Sequence, residues 1–250
     1  MNAAPDAREQ QIIRSWNVNA VPWAEAIRSG SIESRKLVTD RAIIDAVLGL
    51  GPRRILDLGC GEGWLARALA ACAIQTVGID VVPELIAAAA RLGGGEFLVR
   101  EYREIAQARW RAREFDAAVC NFSLLGKESV ESLLAAIPEY LAAPGYLIVQ
   151  TLHPLAACGD LPYEDAWRAG SWLGFGAQFS EPAPWYFRTL ESWHCMLRRT
   201  GFEVLECREP TAPGARAPAS VIFICKPRVR EQTARTAPDS VPVSSGNSTQ

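Results

Sequence analysis

Residues 55 to 63 are Ile-Leu-Asp-Leu-Gly-Cys-Gly-Glu-Gly, and this stretch decides the fold. Its first four residues, apolar apart from Asp57, suit a buried parallel strand. Three glycines at alternating positions then allow the backbone to turn sharply before a helix begins at Trp64. A helix N-terminus offers unpaired amides to an anion, and an acid at the strand's carboxyl end accepts hydrogen bonds from a cation. The stretch therefore predicts a nucleoside cofactor at the end of this strand.

The glycine spacing separates two classes of cofactor. Gly59, Gly61 and Gly63 follow the pattern G-x-G-x-G, whereas a dinucleotide site has G-x-G-x-x-G. With Asp57 two residues before the first glycine, the stretch resembles motif I of the class I S-adenosylmethionine-dependent methyltransferases. The resemblance implies that Asp57, Gly59, Cys60 and Gly61 contact the methionine part of S-adenosylmethionine. A purely structural turn after a strand is the alternative.

A second acid stands at the end of the next predicted strand. Gln75–Asp80 is a short β-branched run, and its final carboxylate lies about 20 residues past the glycine loop, where an acid reaches ribose hydroxyls. Asp80 is therefore the predicted ribose ligand. Its alternative role is to cap the helix that opens at Pro83.

A third strand is predicted over residues 96–102, with Glu101 near its end. The resemblance implies that an acid at this position accepts a hydrogen bond from the adenine amino group. The family has small residues on both sides of that acid, whereas this chain has Arg100 and Tyr102. Glu101 and Tyr102 are the predicted adenine contacts, and a solvated charge at the strand end is the alternative.

The fourth and fifth strands continue the resemblance. Phe115–Asn121 is similar to the family's fourth strand, and it places Asn121 at the carboxyl edge, facing the site of methyl transfer. A turn at Pro144-Gly145 then leads into the fifth strand.

The segment after the fifth strand breaks the alternation of strands and helices. Residues 153–188 are rich in glycine, proline and acids, and they also carry a group of aromatic residues: Trp167, Trp172, Phe175, Phe179, Trp185, Tyr186 and Phe187. A segment that leaves this strand lies over the crevice at the carboxyl ends of the sheet. We therefore expect residues 153–188 to be a substrate lid; the alternative is a hydrophobic cluster that only covers the sheet.

His153 is the predicted catalytic residue. It follows the fifth strand directly, where a neutral imidazole could take a proton from a hydroxyl, an amine or an acidic carbon. Alignment of the acceptor with the methyl group supplies much of the rate in such reactions, so His153 has a second possible role in orienting the substrate or capping a turn. The chain's other histidine, His194, is expected to pack within a helix.

Over residues 12 to 226 the chain resembles bacterial methyltransferases of the quinone-biosynthesis type. The resemblance is carried by Trp16, Asn17 and Trp23, by the Ile32-Glu33-Ser34-Arg35 stretch, and by Trp185–Arg188 and Gly201-Phe202. In relatives an N-terminal arginine reaches the cofactor's carboxylate, and the resemblance implies this role for Arg35. A guanidinium and a carboxylate can form a bidentate pair of hydrogen bonds. A surface ion pair with Glu33 is the alternative.

The domain organisation follows from these patterns. Residues 12–226 are predicted to form a single domain with a Rossmann-like α/β fold, a doubly wound and mostly parallel seven-stranded sheet that ends in an antiparallel C-terminal hairpin. Residues 12–50 have helical periodicity and form an N-terminal helical cap. The polar segments 1–11 and 227–250 are expected to be disordered.

Composition limits the possible partners. The 250 residues are 49% hydrophobic and carry a net charge of −2, with only three lysines among the 26 basic residues, which argues against a nucleic-acid surface. No stretch approaches the ~18 apolar residues that span a bilayer, and residues 1–11 lack the apolar core of a signal peptide. We therefore expect a cytoplasmic protein that acts on neither nucleic acid nor membranes.

Seven cysteines are present, an odd number with no C-x-x-C pair and no zinc-like spacing. Free thiols and no metal site are therefore expected. Cys60, inside the glycine loop, is expected to pack there as a small polarizable side chain in preference to acting as a nucleophile.

The sequence thus predicts a methyltransferase that uses S-adenosylmethionine on a small-molecule acceptor, by O-, N- or C-methylation. One alternative is a nicotinamide-dependent oxidoreductase, which the glycine spacing and the lack of a Tyr-x-x-x-Lys pair disfavour. Another is a non-catalytic domain that binds the cofactor or a partner protein. The acceptor and the oligomeric state stay open.

Overall fold

A computed structural model of the protein describes residues 6–110 and 114–228. The expected disordered tail, residues 227–250, lies outside the described residues from position 229 onward. The expectation is wrong for its first two residues, because Pro227 ends a strand and the Arg228 amide donates to the Gly201 carbonyl oxygen at 2.8 Å. Among the helices of the described ranges, none combines the length and apolar character that a membrane crossing requires.

A seven-stranded sheet forms the centre of the molecule, with the strand order β3-β2-β1-β4-β5-β9-β8. The first five strands in this order are parallel, β9 runs antiparallel to β5, and β8 runs antiparallel to β9. The strands are β1 Arg54–Leu58, β2 Gln75–Asp80, β3 Glu96–Val99, β4 Phe115–Asn121, β5 Leu141–Leu152, β8 Phe202–Arg208 and β9 Ser220–Pro227. The predicted Rossmann-like sheet with a C-terminal antiparallel pair is confirmed.

Helices cover both faces of the sheet. They are α1 Ala7–Val18, α2 Ala20–Ser29, a π-helical turn Arg35–Thr39, α3 Asp40–Leu48, α4 Trp64–Ala70, α5 Pro83–Leu92, α6 Tyr102–Ala106, α7 Glu128–Ala136, a 3-10 turn Ile137–Tyr140, α8 Pro154–Cys158 and α9 Leu190–Arg199.

Strand β1 explains why the motif decides the fold. Four of its five residues are buried, as expected for a parallel strand covered on both faces. Successive side chains point to opposite faces, so Leu56 and Leu58 join one core cluster and Ile55 joins the other. Because β1 lies between β2 and β4, the strand order reverses beside it, and that reversal opens a crevice at the carboxyl ends.

The N-terminal helices begin earlier than the sequence pattern indicated. Helix α1 starts at Ala7, because the Asp6 side chain accepts a hydrogen bond from the Arg8 amide at 2.9 Å and caps the first turn. The expected disorder of residues 1–11 is therefore wrong for residues 7–11.

Strand β3 is shorter than predicted. It ends at Val99, and Glu101 is the N-cap of α6, where its side chain and that of Glu104 form a capping box. Tyr102 is thus the first residue of a helix and not the end of a strand.

Residues 153–188 do depart from the alternating pattern. They contain α8 and a separate two-stranded hairpin, β6 Ala166–Arg168 with β7 Trp185–Phe187. The Tyr186 amide donates to the Leu125 carbonyl oxygen at 2.8 Å, which joins β7 to the loop between β4 and α7. This contact holds the segment over the carboxyl edge of the sheet.

Candidate cofactor and acceptor site

A cavity of about 630 Å³ lies at the carboxyl edge of the sheet. Its walls come from the glycine loop, the ends of β2 and β4, helices α1 and α2, and the part of the chain from Gly170 to Arg188. The cavity is therefore placed at the reversal of strand order, where ligands bind in open α/β sheets.

The glycine loop is held by the end of β2. The amides of Gly59 and Cys60 both donate to the Ile79 carbonyl oxygen, at 2.8 and 2.9 Å, and the Gly61 amide donates to Asp80 Oδ2 at 2.9 Å. The loop is thus preorganised by its neighbours on the sheet.

Two of the three glycines of the loop serve different purposes. Gly59 has φ +78°, and a Cβ there would lie 2.4 Å from the Ser123 Cβ, so this glycine lets the loop pack against protein. Gly61 has φ +57°, and the nearest atom to its Cβ position is Trp23 Nε1 at 4.0 Å. Gly61 is therefore the glycine that leaves room for a ligand.

Asp57 lies under the loop and not on the cavity wall. It is only 2% exposed, and no hydrogen bond to its carboxylate is found within the described residues. Burial raises its pKa to about 7, with a further contribution from the negative charge of Asp80. Asp57 is therefore a buried carboxyl that does not line the cavity and whose charged form is disfavoured by burial.

Asp80 lines the cavity at the end of β2. Its Oδ1 accepts from the Val82 amide at 2.9 Å, beside the start of α5, while Oδ2 accepts from Gly61. Burial raises the pKa of this carboxyl, and the backbone amides of Val82 and Gly61 oppose that shift. Each carboxylate oxygen has two lone pairs, so Asp80 can hold the loop and still accept from ribose hydroxyls.

The predicted adenine contacts also lie on the wall. The Glu101 side chain takes part in the capping box of α6 and forms an ion pair with Arg103, with 2.6 Å between Glu101 Oε2 and Arg103 Nε. The Tyr102 hydroxyl donates a hydrogen bond to the Ser123 carbonyl oxygen at 3.2 Å. Burial raises the pKa of Tyr102 well above its usual value. The Tyr102 side chain is therefore a neutral wall of the cavity.

Asn121 ends β4 beside the cavity, as predicted. Its Oδ1 is buried and has no hydrogen-bond partner among the described residues. An unpaired buried acceptor is costly, and this oxygen has almost no surface exposed to the cavity.

Arg35 reaches the cavity from the π-helical turn. Its Nε donates to Asp40 Oδ1 at 2.9 Å, and its guanidinium lies 4.5 Å from the centre of the Trp64 ring. The predicted alternative, an ion pair with Glu33, is wrong because Asp40 takes that position. Arg35 Nη2 is buried without a hydrogen-bond partner in the described structure.

Sequence reasoning missed Glu62, which is the fourth residue of the glycine loop. Its side chain is 1% exposed, Oε2 forms an ion pair with Arg67, and Oε1 is buried without a partner in the described residues. The available signal was an acid between two glycines of a buried loop.

Cys60 packs within the loop as expected. Its Sγ lies 3.7 Å from the Gly61 carbonyl oxygen, and burial raises its pKa well above the usual value. The thiolate is the nucleophilic form, so this site disfavours nucleophilic catalysis.

His153 is not brought to the cavity, and its predicted catalytic role is not supported. The ring is 1% exposed, and Nε2 lies 2.9 Å from Oε1 of Glu209. The neighbouring Leu152 and Pro154 line the cavity, whereas His153 does not. The physical reason is a carboxylate 56 residues further along the chain, which holds the ring on the side of the β8–β9 connection.

Aromatic rings close the outer half of the cavity. Trp16 contacts both Trp23 and Trp172 edge to face, with ring centroids 5.0 and 5.7 Å apart, and Trp23 lies 6.0 Å from Phe175. Asn19 joins the same two parts of the chain through hydrogen bonds to the Ser180 backbone, at 2.7 and 2.9 Å. Helices α1 and α2 therefore cover the site together with the predicted lid.

Two further residues missed by the sequence reasoning hold the loop between β4 and α7. Glu9 Oε1 accepts from the amides of Lys127 and Ser129, at 2.8 and 3.1 Å. Arg188 is buried and donates to the carbonyl oxygens of Gly126 and Lys127, at 3.0 and 3.1 Å. Both side chains line the cavity. Each hydrogen-bond partner is more than 60 residues away along the chain, so no local sequence pattern predicts these contacts.

The fold and the cavity together define the class as an open α/β protein with a ligand-sized cavity where its strand order reverses. Residues 35–207 match the family model described as a methyltransferase domain. The chain therefore belongs to the methyltransferase-domain family. Within the described residues there is no group of three or more histidine, cysteine, aspartate or glutamate side chains that could hold a metal ion.

Among curated relatives, the chain is similar to ubiquinone biosynthesis O-methyltransferases. It is 33% identical to that of Xanthomonas oryzae pv. oryzae over 114 residues, which are 44% of this chain and 47% of the relative. It is 29% identical to that of Burkholderia thailandensis over 113 residues, 44% of this chain and 49% of the relative. The matched region thus spans about half the length of these relatives.

Solved structures show the same fold over most of the chain. The Burkholderia thailandensis 1,6-didemethyltoxoflavin-N1-methyltransferase, solved with 1,6-didemethyltoxoflavin and S-adenosylhomocysteine bound, has a TM-score of 0.64 at 16% identity and covers 92% of each chain. The DhpI–SAM–HEP complex has a TM-score of 0.59 at 16% identity and covers 90% of this chain and 100% of the other. At these identities the likeness concerns the fold.

Proposed function

We propose that the protein transfers the methyl group of S-adenosylmethionine to a small-molecule acceptor. The observation that carries the proposal is one continuous cavity with two unlike halves. One half is the glycine loop with Asp80, and the other is the aromatic enclosure formed by α1, α2 and residues 170–188. A cofactor and an acceptor can therefore be held side by side in this cavity.

The residues present fit the cofactor. Gly61 leaves open space where the loop meets the cavity, Asp80 presents a carboxylate for ribose hydroxyls, and Arg35, a residue of the cavity wall, offers its guanidinium to a carboxylate. When bound, S-adenosylmethionine supplies a methyl group made electrophilic by the sulfonium. Asp57 places negative charge beneath that region, which favours a cation above the loop.

The role that we assign to this chain's residues is to align the acceptor with the methyl group of S-adenosylmethionine. The acceptor's oxygen, nitrogen or carbon would attack the methyl carbon of bound S-adenosylmethionine while the carbon–sulfur bond breaks, giving the methylated acceptor, S-adenosylhomocysteine and a proton that is released to water. Asn121 lines the cavity at the end of β4, which supports assigning its side chain to orient the acceptor's O–H or N–H. No titratable base is assigned, because His153 is engaged by Glu209 away from the cavity.

The aromatic enclosure indicates an acceptor with a flat, apolar body. Residues Trp172, Phe175 and Tyr186 present ring faces and edges to the cavity, and such surfaces bind apolar and aromatic ligands. We place this reaction in the cytoplasm, and the free state of all seven cysteines, each within the described residues, supports a reducing compartment.

The test is a methyl-transfer assay with methyl-labelled S-adenosylmethionine and fractionated small-molecule extract, read by mass spectrometry. We expect one acceptor mass to rise by a methyl group only with active protein. Once that acceptor is known, Trp172→Ala should raise its KM while the affinity for S-adenosylhomocysteine stays within about twofold.

The adjacent Leu173 provides a matched control, because it is 92% exposed and does not line the cavity. Leu173→Ala should leave the acceptor KM unchanged. Equal KM values for Trp172→Ala and the unmodified protein would contradict an acceptor site under residues 170–188.

A further inference from the structure

Phe122 holds a backbone conformation that a phenylalanine rarely adopts. Its φ is +54°, in the left-handed region that favours glycine. Within the described residues, Ala73, Ala108 and Glu181 are the other non-glycine residues with a positive φ, and of these four only Phe122 lines the cavity. Backbone strain of this kind concentrates at functional sites, where the surrounding structure sustains it. The strain therefore points to a role for the Phe122 side chain in the cavity.

Neighbouring strands fix this strained conformation. The Phe122 amide donates to the Gln150 carbonyl oxygen of β5 at 2.8 Å. The next residue, Ser123, donates through its hydroxyl to the Leu58 carbonyl oxygen of β1 at 2.6 Å, and its own carbonyl oxygen accepts from the Tyr102 hydroxyl at 3.2 Å. The turn after β4 is thus tied to the strands on both sides of β4, so relaxing the φ of Phe122 would cost hydrogen bonds.

The Phe122 ring has no aromatic or cationic partner in the part of the chain that the structure describes. The other phenylalanines of the cavity wall, Phe175 and Phe187, each contact further rings. Phe122 is also partly exposed, although the turn that carries it is held on both sides. A partly exposed ring that is kept on a cavity wall at a cost in strain is a surface for a ligand.

Phe122 lies where the two halves of the cavity meet. Ser123 packs against the glycine loop, because a Cβ at Gly59 would lie 2.4 Å from the Ser123 Cβ. The Leu125 carbonyl oxygen accepts from the Tyr186 amide at 2.8 Å, on the acceptor side. The turn of residues 122–125 therefore runs from the cofactor half to the acceptor half. Methyl transfer requires the sulfonium to lie at that boundary, since its methyl group must face the acceptor.

We propose that the Phe122 ring contacts the methylsulfonium group of S-adenosylmethionine through a cation–π interaction. This inference rests on the proposed function, since it assigns a contact to the cofactor named there. An aromatic face attracts a cation placed over it. After methyl transfer the sulfur is neutral, so the attraction is lost together with the charge. Phe122 thereby favours the methyl donor over its product in the same site.

The experiment measures how the charge on sulfur affects binding. Dissociation constants of S-adenosylmethionine and S-adenosylhomocysteine are measured by isothermal titration calorimetry on the full chain, without acceptor. The variants are Phe122→Leu, which removes the ring but keeps an apolar side chain, and Phe122→Tyr, which keeps a ring. Phe175→Leu is the matched control, because Phe175 is a partly exposed ring of the cavity wall that contacts Trp23, Trp172 and Phe179.

In Phe122→Leu we expect the affinity for S-adenosylmethionine to fall about 3- to 30-fold relative to that for S-adenosylhomocysteine, the range for a cation–π contact. Phe122→Tyr should keep the ratio of the two dissociation constants within about twofold of that of the unmodified protein, and Phe175→Leu should not change the ratio. A ratio that Phe122→Leu leaves unchanged would overturn the inference, whether both ligands weaken equally or neither weakens.

A second pair of variants tests the strain without any ligand. Phe122→Gly and Phe122→Ala both lack the ring, but only glycine adopts a φ of +54° without a steric cost. We therefore expect Phe122→Gly to unfold at a higher urea concentration than Phe122→Ala, the reverse of the order at positions that suit alanine. An alanine variant at least as stable as the glycine variant would overturn the inference, because the ring would then be held without strain.

Failure of the proposed function is a separate outcome. If the unmodified protein bound neither S-adenosylmethionine nor S-adenosylhomocysteine, the proposed function would fall and this contact with it. If it bound both ligands and Phe122→Leu left their ratio unchanged, the contact alone would fall.

Discussion

Replacing Asp57 with asparagine should stabilise the ligand-free protein, and increasingly so as the pH rises. The carboxyl is buried in β1, and its pKa rises from the ordinary 3.8 to about 7 because the charged form is desolvated. The folded state therefore binds the proton more tightly than the unfolded state. Its stability falls as the pH rises between those two values and is then constant with respect to this group.

The magnitude follows from the size of the pKa change. One pKa unit corresponds to about 1.4 kcal/mol, so the shift from 3.8 to about 7 corresponds to about 4 kcal/mol of destabilisation above neutral pH. Asparagine is nearly isosteric and does not ionise. The free energy of unfolding of Asp57→Asn, minus that of the unmodified protein, should therefore grow by about 3 kcal/mol between about pH 5 and about pH 8.

The assay is urea denaturation of ligand-free protein across this pH range, with Asp45→Asn as the control. Asp45 is an exposed acid paired with Arg41 on α3, and its replacement should give a small difference that does not depend on pH in this way. A pH-independent difference between Asp57→Asn and the unmodified protein would refute the reasoning. The same variant should bind S-adenosylmethionine more weakly, because the charge that costs stability is the one that favours the cation.

Three further predictions concern single residues in and near the site. Gly59→Ala should lower the free energy of unfolding by about 2 kcal/mol or more, because its Cβ would collide with Ser123 at a positive φ; a stability equal to that of the unmodified protein in urea denaturation would contradict this contact. Asp80→Ala should weaken S-adenosylhomocysteine about 10- to 100-fold in calorimetry, since it removes a charged acceptor and frees the Gly61 amide; an unchanged affinity would remove Asp80 from the site. His153→Ala should lower stability through loss of the Glu209 contact and leave kcat within about twofold, whereas a fall of about 10²-fold or more in steady-state kinetics would restore the role of general base.

Local sequence patterns were enough to predict most strands of the central sheet. Gln75–Asp80 is a strand with the predicted bounds, and Asn121 ends β4 as expected, because burial of parallel strands leaves long apolar runs in the sequence. The end of β3 was misjudged at Glu101, where a capping box with Glu104 turns the chain into a helix before the pattern changes. The prediction failed where a side-chain contact overrode the apolar periodicity.

The candidate site shows a similar division. Spacing in the sequence predicted Gly61 and Asp80, and both residues line the cavity and are joined by a hydrogen bond. The position of His153 depends on Glu209, and that of Arg188 depends on the carbonyl oxygens of Gly126 and Lys127. These contacts join distant parts of the chain, so no short motif carries them, and only the folded structure shows which side chains face the cavity.

The central claim is that the glycine loop binds S-adenosylmethionine and its product. The most direct measurement is calorimetric titration of the unmodified protein and of Gly61→Val with S-adenosylhomocysteine and with NAD. Because a valine side chain at position 61 would occupy the open space at the loop, we expect saturable binding of S-adenosylhomocysteine to the unmodified protein, no binding to Gly61→Val, and no binding of NAD to either. Circular dichroism must show that Gly61→Val is folded. Saturable NAD binding without S-adenosylhomocysteine binding, or equal S-adenosylhomocysteine affinity in a folded Gly61→Val, would contradict the claim.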